Sequence, residues 1–252
     1  MKRILITNDD GMNARGIRAL VEVLSDLGDV YVVAPDREKS ACGHGITMRT
    51  PMTVEKVSIP FAKGAWTVTG TPSDCVKLGL RELVKDVDLV VSGINHGANV
   101  GEDCFYSGTV AGAAEGTFNG IPSMAVSVCS TAPDNYVPAM RIARRLVRDM
   151  VEKGLDEGIM LNVNVPDLPH EQIKGIRVTR LGHVRYLENF KSALSGYGDW
   201  YYWYNGEAVK LPQDPEADIQ AIRDDYITVT PLQFDLTAEA YRKKIESWDI
   251  RI

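Results

Sequence analysis

Short apolar runs, each cut off by turn-forming residues, organise the first two-thirds of the chain. Ile4-Leu5-Ile6 reads as a buried strand, and Thr7-Asn8-Asp9-Asp10-Gly11 breaks it. Leu20, Val23, Leu24 and Leu27 recur at helical spacing and predict a helix over about 16–27. Residues 30–33 form the next strand, ended by Pro35, and a polar stretch over 36–50 follows without periodicity. Residues 53–59 and 65–69 read as a hairpin pair. Thr71-Pro72-Ser73-Asp74 is a helix start, with Thr71 as N-cap and Pro72 at the first helical position, and that helix runs to about 84.

The alternation continues with a strand over 87–92, a long loop over 93–108, and a small-residue helix around 112–118. Strands over 123–128 and 160–165 flank a helix over 139–151 whose arginines face outward. This order predicts an α/β fold: a doubly wound, mostly parallel sheet wrapped by helices on both faces. Beyond residue 167 the character changes. Trp200-Tyr201-Tyr202-Trp203-Tyr204 marks an aromatic hairpin suited to core or interface packing, residues 227–230 alternate as a strand, and Thr237 is placed to cap a final helix. The expected division is a core over 1–166 and a C-terminal region over 167–252 that carries the aromatic arm, the remaining sheet strands and the terminal helix.

Composition narrows the function classes. At 252 residues, 44% hydrophobic and 25% charged, the chain has an ordinary globular balance. A formal net charge of -6 argues against a general nucleic-acid binder. No apolar run approaches the roughly 20 residues that cross a bilayer, and Met1-Lys2-Arg3 leads into no signal peptide. Cys42, Cys75, Cys104 and Cys129 are widely spaced without a CxxC. They predict reduced thiols in the cytoplasm and no zinc site.

Four strand-end loops carry the candidate chemistry, and such loops converge on one edge of a doubly wound sheet. They hold Asn8-Asp9-Asp10-Gly11, then Asp36-Arg37-Glu38-Lys39-Ser40, then Ser92-Gly93-Ile94-Asn95-His96-Gly97-Ala98-Asn99, then Tyr106-Ser107-Gly108-Thr109. Adjacent carboxylates repel, so keeping both ionised requires a cation; carboxylate, hydroxyl and carboxamide oxygens suit magnesium, manganese or calcium. Ser107-Gly108-Thr109 opens a helix and can cradle an anion with backbone N–H groups and hydroxyls. Neither GxxxxGK[ST] nor GxGxxG is present, which disfavours those nucleotide-binding folds.

Together these blocks resemble the SurE family, the stationary-phase survival proteins that are metal-dependent 5'-nucleotidases. Gly70-Thr71-Pro72-Ser73-Asp74-Cys75-Val76, Leu161-Asn162-Val163-Asn164-Val165-Pro166, Gly175-Ile176-Arg177-Val178-Thr179-Arg180 and Tyr226-Ile227-Thr228-Val229-Thr230-Pro231-Leu232 extend the likeness over nearly the whole chain. The resemblance implies a Rossmann-like core and a swapped C-terminal extension that builds homo-dimers or homo-tetramers. It implies one divalent metal per subunit, magnesium or manganese with calcium as a surrogate, held by Asp9, Asp10, Ser40 and Asn95. Substrate phosphate contacts would come from Asn99, Ser107, Gly108 and Thr109. Asn8 and His96 are candidates for a supporting role.

The reaction so implied is hydrolysis of nucleoside 5'-monophosphates to nucleoside and phosphate, with 3'-monophosphates and polyphosphate left open. Asp9 or Asp10 would orient the attacking water or accept its proton, and His96 is a candidate acid for the leaving oxygen. Residues 42–50 are a candidate flap over the substrate. Three rivals are weighed. An aspartyl-phosphate phosphatase needs a DxD spacing that the adjacent pair lacks. A receiver module places a phosphate-accepting aspartate after its third strand, where this chain has none. A nucleotide sensor would share the site without turnover.

Overall fold

A computed structural model of the chain describes residues 1–209, 211–212 and 214–250. Its centre is a nine-stranded sheet in the order β3-β4-β2-β1-β5-β6-β7-β11-β8. The strands are β1 (Lys2–Thr7), β2 (Gly28–Pro35), β3 (Val54–Val57), β4 (Gly64–Val68), β5 (Leu89–His96), β6 (Ser123–Val128), β7 (Ile159–Val165), β8 (Gly175–Val178) and β11 (Tyr226–Gln233). From β4 through β2, β1, β5 and β6 to β7 every pairing is parallel, while β3 and β11 each meet their inner neighbour antiparallel. The inner strands are buried along nearly their whole length, as parallel strands covered on both faces must be.

Alternation along β1 splits the core between the two faces. Ile4 and Ile6 pack with α1 (Arg15–Leu24) and α4 (Val137–Lys153), through Ile17, Leu20, Leu24, Ile142 and Val147. Leu5 packs on the opposite face with Val33, Cys75 and Val76 of α2 (Pro72–Leu78). The helix α3 (Gly108–Phe118) joins α2 there, with Val110, Ala113 and Ala114 against Ala125 and Met160. Two C-terminal helices complete the set, α5 (Asp218–Arg223) and α6 (Glu239–Ile245). No helix among the described residues is long and apolar enough to cross a membrane.

Several sequence expectations shift by a turn or a strand end. The capping box at Thr71 and Asp74 is present, but α2 ends at Leu78 and passes into a π-helical turn over Gly79–Leu83. The strand after 87 does not stop at 92. It runs on to His96 through a register shift between Gly93 and Asn95, because β6 keeps pairing alongside it. Thr237 does not cap the last helix: its N–H is taken by the Asp235 carboxylate, and α6 starts two residues later without a side-chain cap. The aromatic hairpin forms as β9 (Tyr186–Leu194) paired antiparallel with β10 (Trp200–Ala208). Its side chains stand in the open rather than in the core of their own chain.

Candidate metal and phosphate site

The chain passes from β1 outward to β2 and β4, then returns to add β5 on the other side of β1. That reversal is a topological switch point between β1 and β5, and ligands of open α/β sheets bind outside the carboxyl ends of the strands at such points. Asp9 and Asp10 leave β1 on one side of it, and Asn95 and His96 end β5 on the other. Gly11 makes the exit possible: its φ of +93° suits glycine, and an added Cβ would lie 2.9 Å from the Arg37 carbonyl carbon.

Asp9 is buried, and α3 points its positive end at it. The N–H of Thr109 donates to Asp9 Oδ2 at 3.0 Å and the Thr109 hydroxyl donates to Oδ1. Gly108 is needed at this approach, because a Cβ there would meet the Asp9 Cβ at 2.8 Å and Cys42 Sγ at 2.9 Å. Burial still raises the Asp9 carboxyl above its ordinary range despite these donors. Asp10 is half-buried and accepts the His96 backbone N–H, at 3.2 Å to Oδ2. Burial, then the neighbouring Asp9 charge, push it up to about 7. Two carboxylates that are costly to ionise together, side by side at the switch point, fit a cation.

The neutral oxygens stand around this pair. Asn95 is buried and donates its amide to the Gly97 carbonyl at 2.9 Å, which leaves its carboxamide oxygen for another partner. Ser40 is exposed, and its hydroxyl donates to Glu38 at 2.6 Å rather than to either aspartate. The Lys39 N–H donates to the Asp9 carbonyl at 2.7 Å, so the segment bearing Ser40 is tied to the same turn. Asn8 donates its amide to the Gly11 carbonyl at 3.0 Å, while its carboxamide oxygen is buried without a partner. Among the described residues no three His, Cys, Asp or Glu side chains cluster to hold a metal, so an ion held here would have two carboxylates and neutral oxygens available to it.

The candidate anion contacts lie on α3 and the loop after β5. Ser107 caps α3 by accepting the Val110 N–H at 3.1 Å, leaving its own O–H free to donate. Thr109 spends both donors on Asp9, so it braces the carboxylate. Asn99 is buried, and its side-chain amide donates to Ser127 Oγ at 2.9 Å with its second hydrogen unassigned. His96 Nε2 lies 2.6 Å from the Tyr136 hydroxyl, and Arg15 stacks over the Tyr136 ring at 5.5 Å. Burial, then Arg15, hold the His96 imidazole below its ordinary pKa and therefore neutral near pH 7. Arg37 turns back onto Asp36 at 2.8 Å, away from any anion role.

The segment over 42–50 is stitched down. The Gly43 N–H donates to the Tyr106 carbonyl at 2.9 Å, and the Thr47 N–H donates to Asp74 Oδ1 at 3.0 Å. His44 Nε2 lies 2.8 Å from the buried Glu115 carboxylate, which also holds Lys77 at 2.7 Å. Sequence reasoning singled out neither Glu115 nor Tyr136, and it gave Asn162 and Asn164 no role. For three of them a signal existed: Glu115 is a lone charge in a helix of small residues, and the asparagines interrupt an apolar strand.

The family described as "Survival protein SurE" matches residues 4–188. A protein named 5'-nucleotidase SurE from Syntrophomonas wolfei subsp. wolfei is 44% identical over 252 residues, covering 98% of this chain and 96% of the relative. Its namesake from Heliobacterium modesticaldum is 47% identical over 249 residues, covering 98% and 91%. The crystal structure of the Sure protein from Aquifex aeolicus superposes with a TM-score of 0.84 at 41% identity, covering 97% of this chain and 98% of that one.

Proposed function

We propose that this chain, which belongs to the survival protein SurE family, is a 5'-nucleotidase that hydrolyses nucleoside 5'-monophosphates to nucleoside and phosphate. The observation that carries the reading is the Asp9-Asp10 pair at the sheet's switch point, set against the N-terminus of α3. Asp9, Asp10, Ser40 and Asn95 would hold one divalent ion, with magnesium or manganese best suited to an oxygen-only donor set. When bound, such an ion polarises a phosphoryl oxygen and acidifies a water.

The chain's own groups divide the remaining tasks. Thr109 and the helix end keep Asp9 oriented, while Asp10 has an oxygen free to orient the attacking water and take its proton. The Ser107 hydroxyl, the Gly108 N–H and the Asn99 amide are the donors for the phosphate oxygens, where charge builds in the transition state. His96 works through its backbone: its N–H fixes Asp10, and Tyr136 fixes its ring. Burial and Arg15 favour the neutral imidazole, and His96 remains a candidate acid for the departing oxygen through its protonated form, with water as the other donor.

The same reading assigns the arm. Trp200, Tyr202 and Tyr204 share one face of β10 and Tyr201 and Trp203 the other, and all are more than half exposed. The helix α6 buries none of its residues. Apolar surface on this scale belongs against a second copy of the chain, in a homo-dimer or homo-tetramer. The four thiols are unpaired, which fits a cytoplasmic setting. Incubation with AMP and manganese should release phosphate, and EDTA should stop it; no release from any nucleoside monophosphate with any divalent ion would overturn the assignment.

A further inference from the structure

Asn162 and Asn164 occupy alternate positions of β7 and therefore project to one face of the sheet, both with 0% exposure. Beside them on β6 stand Ala125 and Ser127, and on β11 Thr230 and Thr228. A buried strand flanked on both sides would ordinarily be apolar here. The asparagines instead both reach Asn99, 63 and 65 positions away in sequence, and Asn162 Nδ2 also lies 3.5 Å from Cys104 Sγ. The Asn99 N–H donates to Asn164 Oδ1 at 2.8 Å, while the Asn99 carbonyl accepts from Asn164 Nδ2 at 3.0 Å and from Asn162 Nδ2 at 2.8 Å. Its main-chain donor and acceptor are thus both taken, in a loop that has no strand partner at that point. The Asn162 carboxamide oxygen remains buried without a hydrogen bond.

That last atom is the telling one. An unpaired buried oxygen disfavours the folded state, and leucine has the same branched outline without that cost. A residue that stability would not choose is explained by what its other end holds. We infer that Asn162 and Asn164 are positioning residues that clamp the main chain of Asn99 so that its side-chain amide meets the substrate phosphate. This rests on the reading of Asn99 as a phosphate contact. The clamp leaves Asn99 no freedom to follow the phosphate as it moves, so it presents a preformed donor. Ser127 fixes the side chain by one amide hydrogen and leaves the other for the ligand.

The test uses the full-length protein with its metal, with AMP as substrate and inorganic phosphate as competitive inhibitor. Asn162→Leu removes one clamp bond and the unpaired oxygen. It should raise the KM for AMP and the Ki for phosphate about tenfold each, with the melting temperature unchanged or higher. Asn164→Asp is isosteric. Its carboxylate keeps the bond from the Asn99 N–H but opposes the Asn99 carbonyl, whereas its protonated form can restore both bonds. Its KM, as a ratio to the parent's, should therefore fall toward one between pH 8 and pH 5.5. Asn99→Ala separates the two levels of the claim. If it leaves KM and Ki unchanged, the phosphate contact itself is wrong. If it raises both while Asn162→Leu and a folded Asn164→Asp leave them at parental values, the clamp is overturned and the contact stands. A fall in kcat and melting temperature together, with KM constant, would mark the asparagines as merely structural and overturn the clamp.

Discussion

The strand ends of the sheet and the β9–β10 arm break the same rule in opposite directions. At the strand ends, Asn8, Asp9, Asn95, Asn99, Asn162 and Asn164 are buried although polar. On the arm, Leu187, Phe190, Trp200 and Tyr202 are exposed although apolar. Buried polar groups persist where each holds something, and here the asparagines hold loop backbone while Thr109 holds the Asp9 carboxylate. Exposed aromatics persist where another surface covers them. The first region finds most of its partners within one chain, although Asn8 and Asn162 each keep a buried carboxamide oxygen with no hydrogen bond among the described residues; the second presents apolar surface that the proposed assembly would cover.

The sharpest way to separate the regions is to remove the chemistry without touching the arm. Asp9→Ala should lower turnover of AMP by about three orders of magnitude, because it removes a proposed ion ligand and leaves Asp10 alone of the pair to hold the ion and position the water. Sedimentation should show the parental mass. A variant that kept its rate, or lost its assembly with it, would break the division.

The converse variant acts on the arm. Trp200→Ser, Tyr202→Ser and Tyr204→Ser combined remove three aromatics from one face of β10. Truncating several buried aromatic anchors weakens association by at least about 100-fold. Sedimentation equilibrium at micromolar concentration should then find single chains, where the proposed assembly of the parent would sediment as a dimer or tetramer. An unchanged mass would show that the aromatics are surface and not contact.

The two regions were not equally legible in the sequence. Period-two and helical spacing placed most core elements, and the pair Asp9-Asp10 announced itself because a strand ended on it. The extension of β5 through Gly93, Asn95 and His96 did not, since polar residues and glycines in a row look like a loop until β6 is seen pairing beside them. Thr109, expected as a phosphate donor, also bonds Asp9, a contact across 100 residues that no local pattern encodes. The asparagine clamp was hidden for the same reason. On the arm, the run from Trp200 to Tyr204 named a hairpin, but only coordinates show both faces open.

A third perturbation titrates the strand-end site directly. Burial raises the Asp10 carboxyl from 3.8 to about 7, so without metal the folded protein favours its neutral form. The stability linked to this group is present below about pH 4 and is lost as pH rises through about 7. Partial exposure discounts the size, and on the order of 2 kcal/mol is expected. In EDTA, Asp10→Asn should melt at the parental temperature near pH 4 and several degrees higher at pH 8. Manganese should reverse that order at pH 8, because only the parent offers the second carboxylate. Parallel melting curves across the range would mean that Asp10 is ionised without strain and needs no cation.

The smallest effect should come from Glu115, which joins the site to the segment over 42–50. Burial raises its carboxyl, but His44 and Lys77 outweigh burial and hold it below the ordinary range. Glu115→Gln removes the charge and keeps the side chain's length. The segment would stay attached through the Gly43–Tyr106 and Thr47–Asp74 bonds, so Ser40 should lose alignment and not position. Manganese affinity measured by calorimetry should fall about threefold to tenfold, within the value of one charged hydrogen bond, with turnover at saturating manganese preserved. A collapse of turnover at saturating metal would instead place this buried charge among the groups that act on substrate. The contrast would then weaken, because one buried polar group would be serving chemistry where a loop anchor was expected.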